Sequence, residues 1–289
     1  MRSTIRMRDG VAGFIALALL TAMVSGGGCE SYVRARAFEQ HAPLREGSLA
    51  WWTDKKIGEE PAAGWLMNRT AVIVGRADYV GLKSDGQKKL TLKPMRAGEA
   101  VAPSLGSAVP VTDDGYFLTA AHCISEEPYV IVIRDRDGNF VERLGRTVWS
   151  GLWATGRTDI AVVHAPGVEC ESLEWCGLDD AGGGEHVLSA GVGYNATRLA
   201  AGQITGGPIG VREAPPGLAH AFHVDSPLIP GDSGGPTIVA GGRLLGVCAN
   251  VEIEIFTRPG GGEVLRPDPA FIQRVIGADR SKRDDTLRP

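Results

Sequence analysis

Three short stretches carry side chains that together can run acyl transfer. Gly231-Asp232-Ser233-Gly234-Gly235-Pro236 offers a serine framed by glycines, Thr119-Ala120-Ala121-His122-Cys123 a histidine, and Thr158-Asp159-Ile160-Ala161-Val162-Val163 an aspartate. A serine hydroxyl is inert at neutral pH until a base takes its proton. Histidine ionises in the right range to be that base, and a carboxylate fixes its tautomer and stabilises the imidazolium. Ser233 is therefore the candidate nucleophile, His122 the general base and Asp159 the orienting acid. The glycines let the backbone turn sharply and bring N–H groups close to a substrate. The competing reading of the first stretch, a glycine-rich turn with an accidental serine, is set against the presence of the other two stretches. Asp179 and Asp180 compete with Asp159 but lie in a glycine-rich connector. His41, His164, His186, His220 and His223 sit in no comparable motif. His220 and His223 are spaced as strand residues and do not make a metal-ligand set, so no metal and no other cofactor is expected.

Dozens of residues separate these three stretches, so only tertiary structure can bring them together. From Thr70 onward the pattern is of short apolar runs punctuated by turn residues, which reads as an all-β chain. The clearest runs are 71–74, 109–112, 116–120, 129–134 and 160–164, then 187–190, 199–205, 221–224, 236–239 and 244–249. Asp135-Arg136-Asp137-Gly138 is a hairpin turn, and the lysine-rich segment 82–98 is an exposed hairpin or loop. Pro269 opens a C-terminal helix over 268–276, with Phe271, Ile272 and Val275 on one face; the charged tail from Asp279 is expected to fray. Ahead of the strands, residues 31–40 suit a short helix. Pro43, Gly47, Gly58, Pro61 and Gly64 should break regular structure after it, leaving Trp51, Trp52 and Trp65 to pack the arm against the main domain.

Composition narrows the class. The chain has 289 residues, 43% hydrophobic and 22% charged, with 40 glycines. That is a soluble globular composition with room for one large domain or two small ones. A net charge of −4 argues against nucleic acid as a partner, since phosphate binding needs a basic face. At the N-terminus, Arg2, Arg6 and Arg8 precede an apolar run of 14 residues, Val11–Val24, and then Ser25-Gly26-Gly27-Gly28-Cys29. This is the layout of an export signal over residues 1–28, too short to span a bilayer comfortably. Cys29 after small residues is a candidate lipidation site that would tether the protein to a membrane; simple cleavage near Gly27 is the alternative. Of the other cysteines, Cys170 and Cys176 are near enough to close a small disulfide loop, although four cysteines admit three pairings. Cys123 and Cys248 suit buried thiols.

The three motifs, in the order His, Asp, Ser, resemble those of the trypsin/chymotrypsin superfamily of serine proteases. Two stretches are similar to its HtrA/Deg branch: 106–119, leading to His122, and Val224-Asp225-Ser226-Pro227-Leu228-Ile229-Pro230-Gly231, leading to Ser233. The likeness covers roughly residues 65–257. It implies two antiparallel six-stranded β-barrels with the site between them: 29–64 an N-terminal arm, 65–169 the first barrel, 170–184 a connector, 185–257 the second barrel, and 258–289 a C-terminal helix and tail. It further implies an oxyanion hole from the amides of Gly231 and Ser233, and a substrate pocket bounded by Pro227, Leu228 and Ile229 and by Val247, Cys248, Ala249, Asn250 and Val251. Pro227 stands where trypsin has an acid, so a small or medium apolar P1 residue is expected.

The departures from the pattern matter. Ser107 stands where the superfamily often has a cysteine to pair with Cys123. Ala249 stands where a serine supports the triad aspartate. Asp232 is the residue that trypsin-like enzymes pair with a new N-terminus, yet no activation sequence is present, so it needs an arginine or backbone amides instead. The roughly 30 residues after Phe256 are too few for the branch's PDZ domain. The expected function is an exported serine endopeptidase acting on polypeptides, in the periplasm, membrane-tethered or secreted. A catalytically weak binding protein of the cell envelope on the same fold, and an esterase using the same triad, are the alternatives.

Overall fold

Several strand-forming runs here are apolar at every position rather than at alternate ones, which means that both faces of the strand must be covered. The computed structural model shows what covers them. It describes residues 46–76, 79–83, 89–92, 105–124, 128–155, 158–193, 196–210, 217–229, 231–253 and 259–286. The expected export signal, Cys29, the helix at 31–40 and Pro230 lie outside the described residues.

In chain order, helix α1 (Glu46–Thr53), the short strands β1 (Lys56–Ile57) and β2 (Glu60–Pro61), and helix α2 (Ala62–Asn68) form the arm. Then come β3 (Ala71–Gly75), the hairpin β4 (Tyr79–Lys83) and β5 (Lys89–Leu92), β6 (Leu105–Pro110), β7 (Tyr116–Thr119), β8 (Tyr129–Arg134), β9 (Phe140–Ser150), helix α3 (Gly151–Thr155) and β10 (Ala161–His164). The second half holds β11 (His186–Gly193), β12 (Ala196–Gly210), β13 (Leu218–Val224), β14 (Pro236–Ile238), β15 (Leu244–Ile253) and β16 (Pro259–Pro267), followed by helix α4 (Pro269–Thr286).

Two closed barrels result, each of six antiparallel strands. The first runs β10-β7-β6-β3-β8-β9, the second β11-β12-β13-β16-β15-β14. Closure leaves neither barrel a free strand edge. Alternation along the strands divides the apolar residues between the barrel interiors and a shared core. Ile73, Phe117, Ile131, Ala161 and Val163 fill the first barrel, and Val187, Ile204, Phe222, Leu245 and Val264 fill the second. Their strand neighbours Leu118, Val162, Leu188, Leu244 and Leu265 point the other way, into one cluster that joins both barrels to the arm and α4. This accounts for the unbroken apolar runs.

The arm is more regular than its glycines and prolines suggested, because burial overrides propensity. Trp52 is buried and its indole N–H donates to the Val187 carbonyl at 3.1 Å. Trp51 stacks on His186, with centroids 4.4 Å apart, and Leu66 joins the shared core. The turn after β8 forms as expected: the Asp135 carboxylate accepts from the amides of Asp137 and Asn139, at 3.0 and 2.8 Å.

Two boundaries differ from expectation. The second barrel does not end at 257, because 259–267 forms β16 and closes it between β13 and β15; its glycines at 260–262 hid a strand. The helix expected to stop at 276 continues to Thr286. Asp279, taken for the start of a frayed tail, is an anchor. It accepts from the Tyr116 hydroxyl at 2.8 Å and from Arg146, which reaches one carboxylate oxygen at 2.9 Å. These contacts, the Arg146 hydrogen bonds first, hold its carboxyl below the usual range.

A carboxyl that ionises more easily in the folded state adds stability above its unfolded pKa and loses it in acid. Asp279→Ala should therefore cost about 1–3 kcal/mol at neutral pH, read by urea denaturation. The difference should close once the pH falls below the carboxylate range.

Candidate active site

His122 lies on a single 3-10 turn, Ala121–Ile124, that follows directly from β7. Asp159 sits just before β10, which pairs with β7. Adjacent strands thus deliver both side chains to one edge of the first barrel. Thr158 and Ile160 are fully buried on either side of Asp159, so the carboxylate is held at the strand's mouth. It grips His122 twice: Oδ1 accepts from the His122 backbone amide at 2.9 Å, and Oδ2 lies 2.7 Å from Nδ1. An acceptor-only carboxylate at that distance puts the proton on Nδ1 and leaves Nε2 as the basic atom. Burial works against the imidazolium, but the neighbouring Cys123 sulfur and the Asp159 carboxylate outweigh it. The ring's pKa is accordingly raised above the ordinary imidazole value.

Ser233 comes from the other barrel, on the loop that leads into β14. This loop is pinned to the first barrel by its backbone. The Ser107 amide donates to the Ser233 carbonyl at 2.8 Å, and the Cys123 thiol approaches the same carbonyl at 3.5 Å. The Ser107 hydroxyl donates to the Gly231 carbonyl at 2.7 Å while accepting from the Val192 amide at 2.9 Å. Because Cys123 adjoins His122, these bonds bring the serine's peptide against the histidine's turn. Gly234 permits the approach. A Cβ there would fall 2.1 Å from the Ser107 carbonyl oxygen and 2.2 Å from the Thr119 hydroxyl, and its φ of +81° disfavours side chains in any case. Among the described residues, the amides of Gly231 and Ser233 donate to no protein acceptor.

Asp232 has the two kinds of partner that the sequence called for. Its side chain is 3% exposed and forms an ion pair with Arg198 of β12. Its Oδ2 also accepts from the Ile229 amide at 2.9 Å. The second Arg198 amine donates to the Pro227 carbonyl at 3.0 Å. Oδ1 is buried with no hydrogen-bond partner among the described residues. Burial pushes the carboxyl pKa up to about 6, against the pull of Arg198 and the Ile229 amide.

The expected pocket residues divide. Leu228 and Cys248 are packed inside the second barrel, and Val247 and Ala249 face the shared core. None of these four side chains is open to a cleft: β15 alternates between two buried faces, and Leu228, in the segment after β13, is itself buried. Pro227 and Ile229 are half-buried. Asn250 and Val251 continue β15, paired with Glu263 and Gly262. The expected Cys170–Cys176 bridge is corrected: both are free thiols, as are Cys123 and Cys248. Six residues apart in sequence, Cys170 lies in the first barrel's interior and Cys176 in the second's. Burial raises the Cys170 and Cys248 thiols to about 12, and that of Cys176 in the same direction. His220 and His223 lie on β13, and no cluster of metal ligands occurs among the described residues. The roles of Ser107 and Arg198 were missed by position. A buried serine in an apolar strand and one arginine among many carry no local signal.

Comparison with known proteins finds likenesses in family, sequence and fold. The family described as trypsin-like peptidase domain matches residues 106–247. A probable periplasmic serine endoprotease, DegP-like, of Ectopseudomonas mendocina is 29% identical over 164 residues, covering 55% of this chain and 31% of the relative. A protein so described from Pseudomonas putida is 28% identical over the same length and shares. The matched region is thus under a third of these relatives' own length. Among solved structures, the HtrA-type protease AlgW with decapeptide aligns with a TM-score of 0.55 at 19% identity, covering 75% of this chain and 66% of that one. The serine endoprotease from Yersinia pestis aligns at 0.51 and 20%, covering 75% and 64%. These structural likenesses establish the fold.

The Asp232 carboxyl ionises near 3.8 when unfolded and near 6 when folded. Between those values the folded state holds more protons, so stability falls as the pH rises from about 4 to about 6, by roughly 3 kcal/mol. Asp232→Asn should flatten the pH dependence of Tm in that window, measured by thermal melts at closely spaced pH values.

Proposed function

We propose that the protein is an exported serine endopeptidase of the trypsin-like kind, on the HtrA side of that superfamily, using His122, Asp159 and Ser233; the match of residues 106–247 to the trypsin-like peptidase domain and the likeness to DegP-like relatives support the reading. The observation that carries the proposal is the doubly hydrogen-bonded His122–Asp159 pair beside a serine loop pinned across the seam of two barrels.

In this mechanism the Ser233 hydroxyl attacks the scissile carbonyl carbon while His122 Nε2 takes its proton. The carbonyl π electrons move to oxygen, and the amides of Gly231 and Ser233 bind the oxyanion that forms, each contributing about 3 kcal/mol. The tetrahedral intermediate collapses with loss of the amine, which takes the proton from His122, and leaves an acyl-enzyme. Water, deprotonated by His122, releases the acid product and restores Ser233. Asp159 holds the ring and stabilises the imidazolium throughout.

A small or medium apolar P1 residue fits the site best. Pro227, Leu228 and Ile229 offer no carboxylate, and the Arg198 guanidinium already occupies the Pro227 carbonyl; a basic P1 side chain would be buried without a partner. A periplasmic setting agrees with the export signal and with the description of the relatives. Cys29 is the proposed tether if the protein is lipidated.

A fluorophosphonate probe should label the wild-type protein on Ser233. Ser233→Ala should abolish labelling and His122→Ala should reduce it to background; a folded wild type that resists the probe would overturn the reading. Asp159→Asn should lower kcat about 10⁴-fold. Since the base must be unprotonated and its pKa is raised, the acid limb of kcat/KM should lie above the ~6.5 of free imidazole, read from a pH–rate profile.

A further inference from the structure

The Asp232–Arg198 pair is built into the catalytic loop at a point that the triad chemistry does not use. Asp232 immediately precedes the nucleophile, and its side chain is almost wholly enclosed. Enclosure is enforced from β11: a Cβ on Gly191 would fall 2.5 Å from both the Asp232 Cα and its Oδ1. A carboxylate in such a place needs a cation, or it takes up a proton or swings out. Arg198, which pairs with Gly191 in the β11–β12 ladder, supplies that cation from a rigid strand.

The guanidinium does more than neutralise. One amine is on the Asp232 carboxylate and the other on the Pro227 carbonyl, so a single planar group ties the segment leading into the loop to the residue before Ser233. Inside that clamp the loop closes on itself: the Asp232 amide donates to the Ile229 carbonyl at 3.0 Å, and the Gly235 amide to the Asp232 carbonyl at 2.9 Å. Gly231 and Ser233 flank Asp232 directly. The orientation of their amides therefore follows from where its side chain is held.

We propose that Arg198 is the positioning residue of the nucleophile loop, holding the Asp232 carboxylate and the Pro227 carbonyl together so that the Gly231 and Ser233 amides point at the oxyanion. This rests on the serine-endopeptidase reading and deepens it. The loop is set by a cation already within the fold, so its assembly requires no new chain terminus.

The test uses the purified full chain and the variants Arg198→Met, Arg198→Lys, Asp232→Asn and the double Arg198→Met/Asp232→Asn. Hydrogen exchange of peptides covering 227–236 reads the positioning directly, and hydrolysis of a peptide substrate reads its consequence. Arg198→Met should speed exchange there at least about tenfold relative to the rest of the second barrel. It should lower kcat roughly 10- to 100-fold with little change in KM, as expected when oxyanion donors are misplaced. Arg198→Lys should fall between, because an ammonium cannot bridge both oxygens as the planar fork does. The double variant should recover only part of the loss: an asparagine can accept from the Ile229 amide without needing a cation, but the Pro227 carbonyl is no longer held to it. Unchanged exchange and kcat in folded Arg198→Met, or a double variant restored to wild-type exchange and kcat without the bridge, would overturn the proposal. If Arg198→Met does not fold, the lysine and double variants decide by the same comparison. A wild type that is not labelled by fluorophosphonate would instead sink the peptidase reading, and the exchange data would still judge Arg198.

Discussion

The contact between Ser107 and the loop before β14 is the constraint on which the site depends. One buried serine on β6 donates its amide to Ser233 and its hydroxyl to Gly231, and accepts from Val192 of β11. The first barrel carries His122 and Asp159, and the second carries Ser233. Apolar packing between barrels is non-directional and fixes their separation only loosely. Hydrogen bonds with defined donors and acceptors fix the register, and here they fall on the carbonyls of Gly231 and Ser233. Gly234 belongs to the same constraint, because any side chain there would collide with the first barrel.

Around this seam the polar groups are arranged to keep single side chains in single places. Asp159 spends both oxygens on His122. Asp232 is fixed by a guanidinium and an amide but keeps one oxygen buried and unpaired. That is an expensive arrangement in stability terms, and such expense is common where a loop must be held for chemistry. Asp279 plays a comparable part away from the site, fastening α4 to the first barrel through Tyr116 and Arg146.

The cysteines show how burial redirects local expectation. Sequence proximity favoured a Cys170–Cys176 bridge, yet the connector between them passes from one barrel interior to the other, and each thiol is used as a small apolar side chain. The same effect explains the pocket residues. Leu228 and Cys248 belong to a strand and a loop whose two faces are both covered, so their side chains fill a core, and only their neighbours remain near a cleft.

The sequence by itself determined the all-β class, the strand runs, the hairpin turn at Asp135–Gly138, and the three motifs with their chemistry. Each is written in local residue types: glycine and aspartate at turns, apolar runs in strands, and a serine framed by glycines. It also showed that Asp232 lacked an evident partner. Only the tertiary structure decided which partner that was, that Ser107 bonds across the seam to the loop before β14, that residues 259–267 are the strand closing the second barrel, and that Asp279 is an anchor. These depend on which residues meet across tens or hundreds of positions. A β-barrel is held by non-local pairs, and no local pattern encodes which strand, or which arginine, will lie alongside.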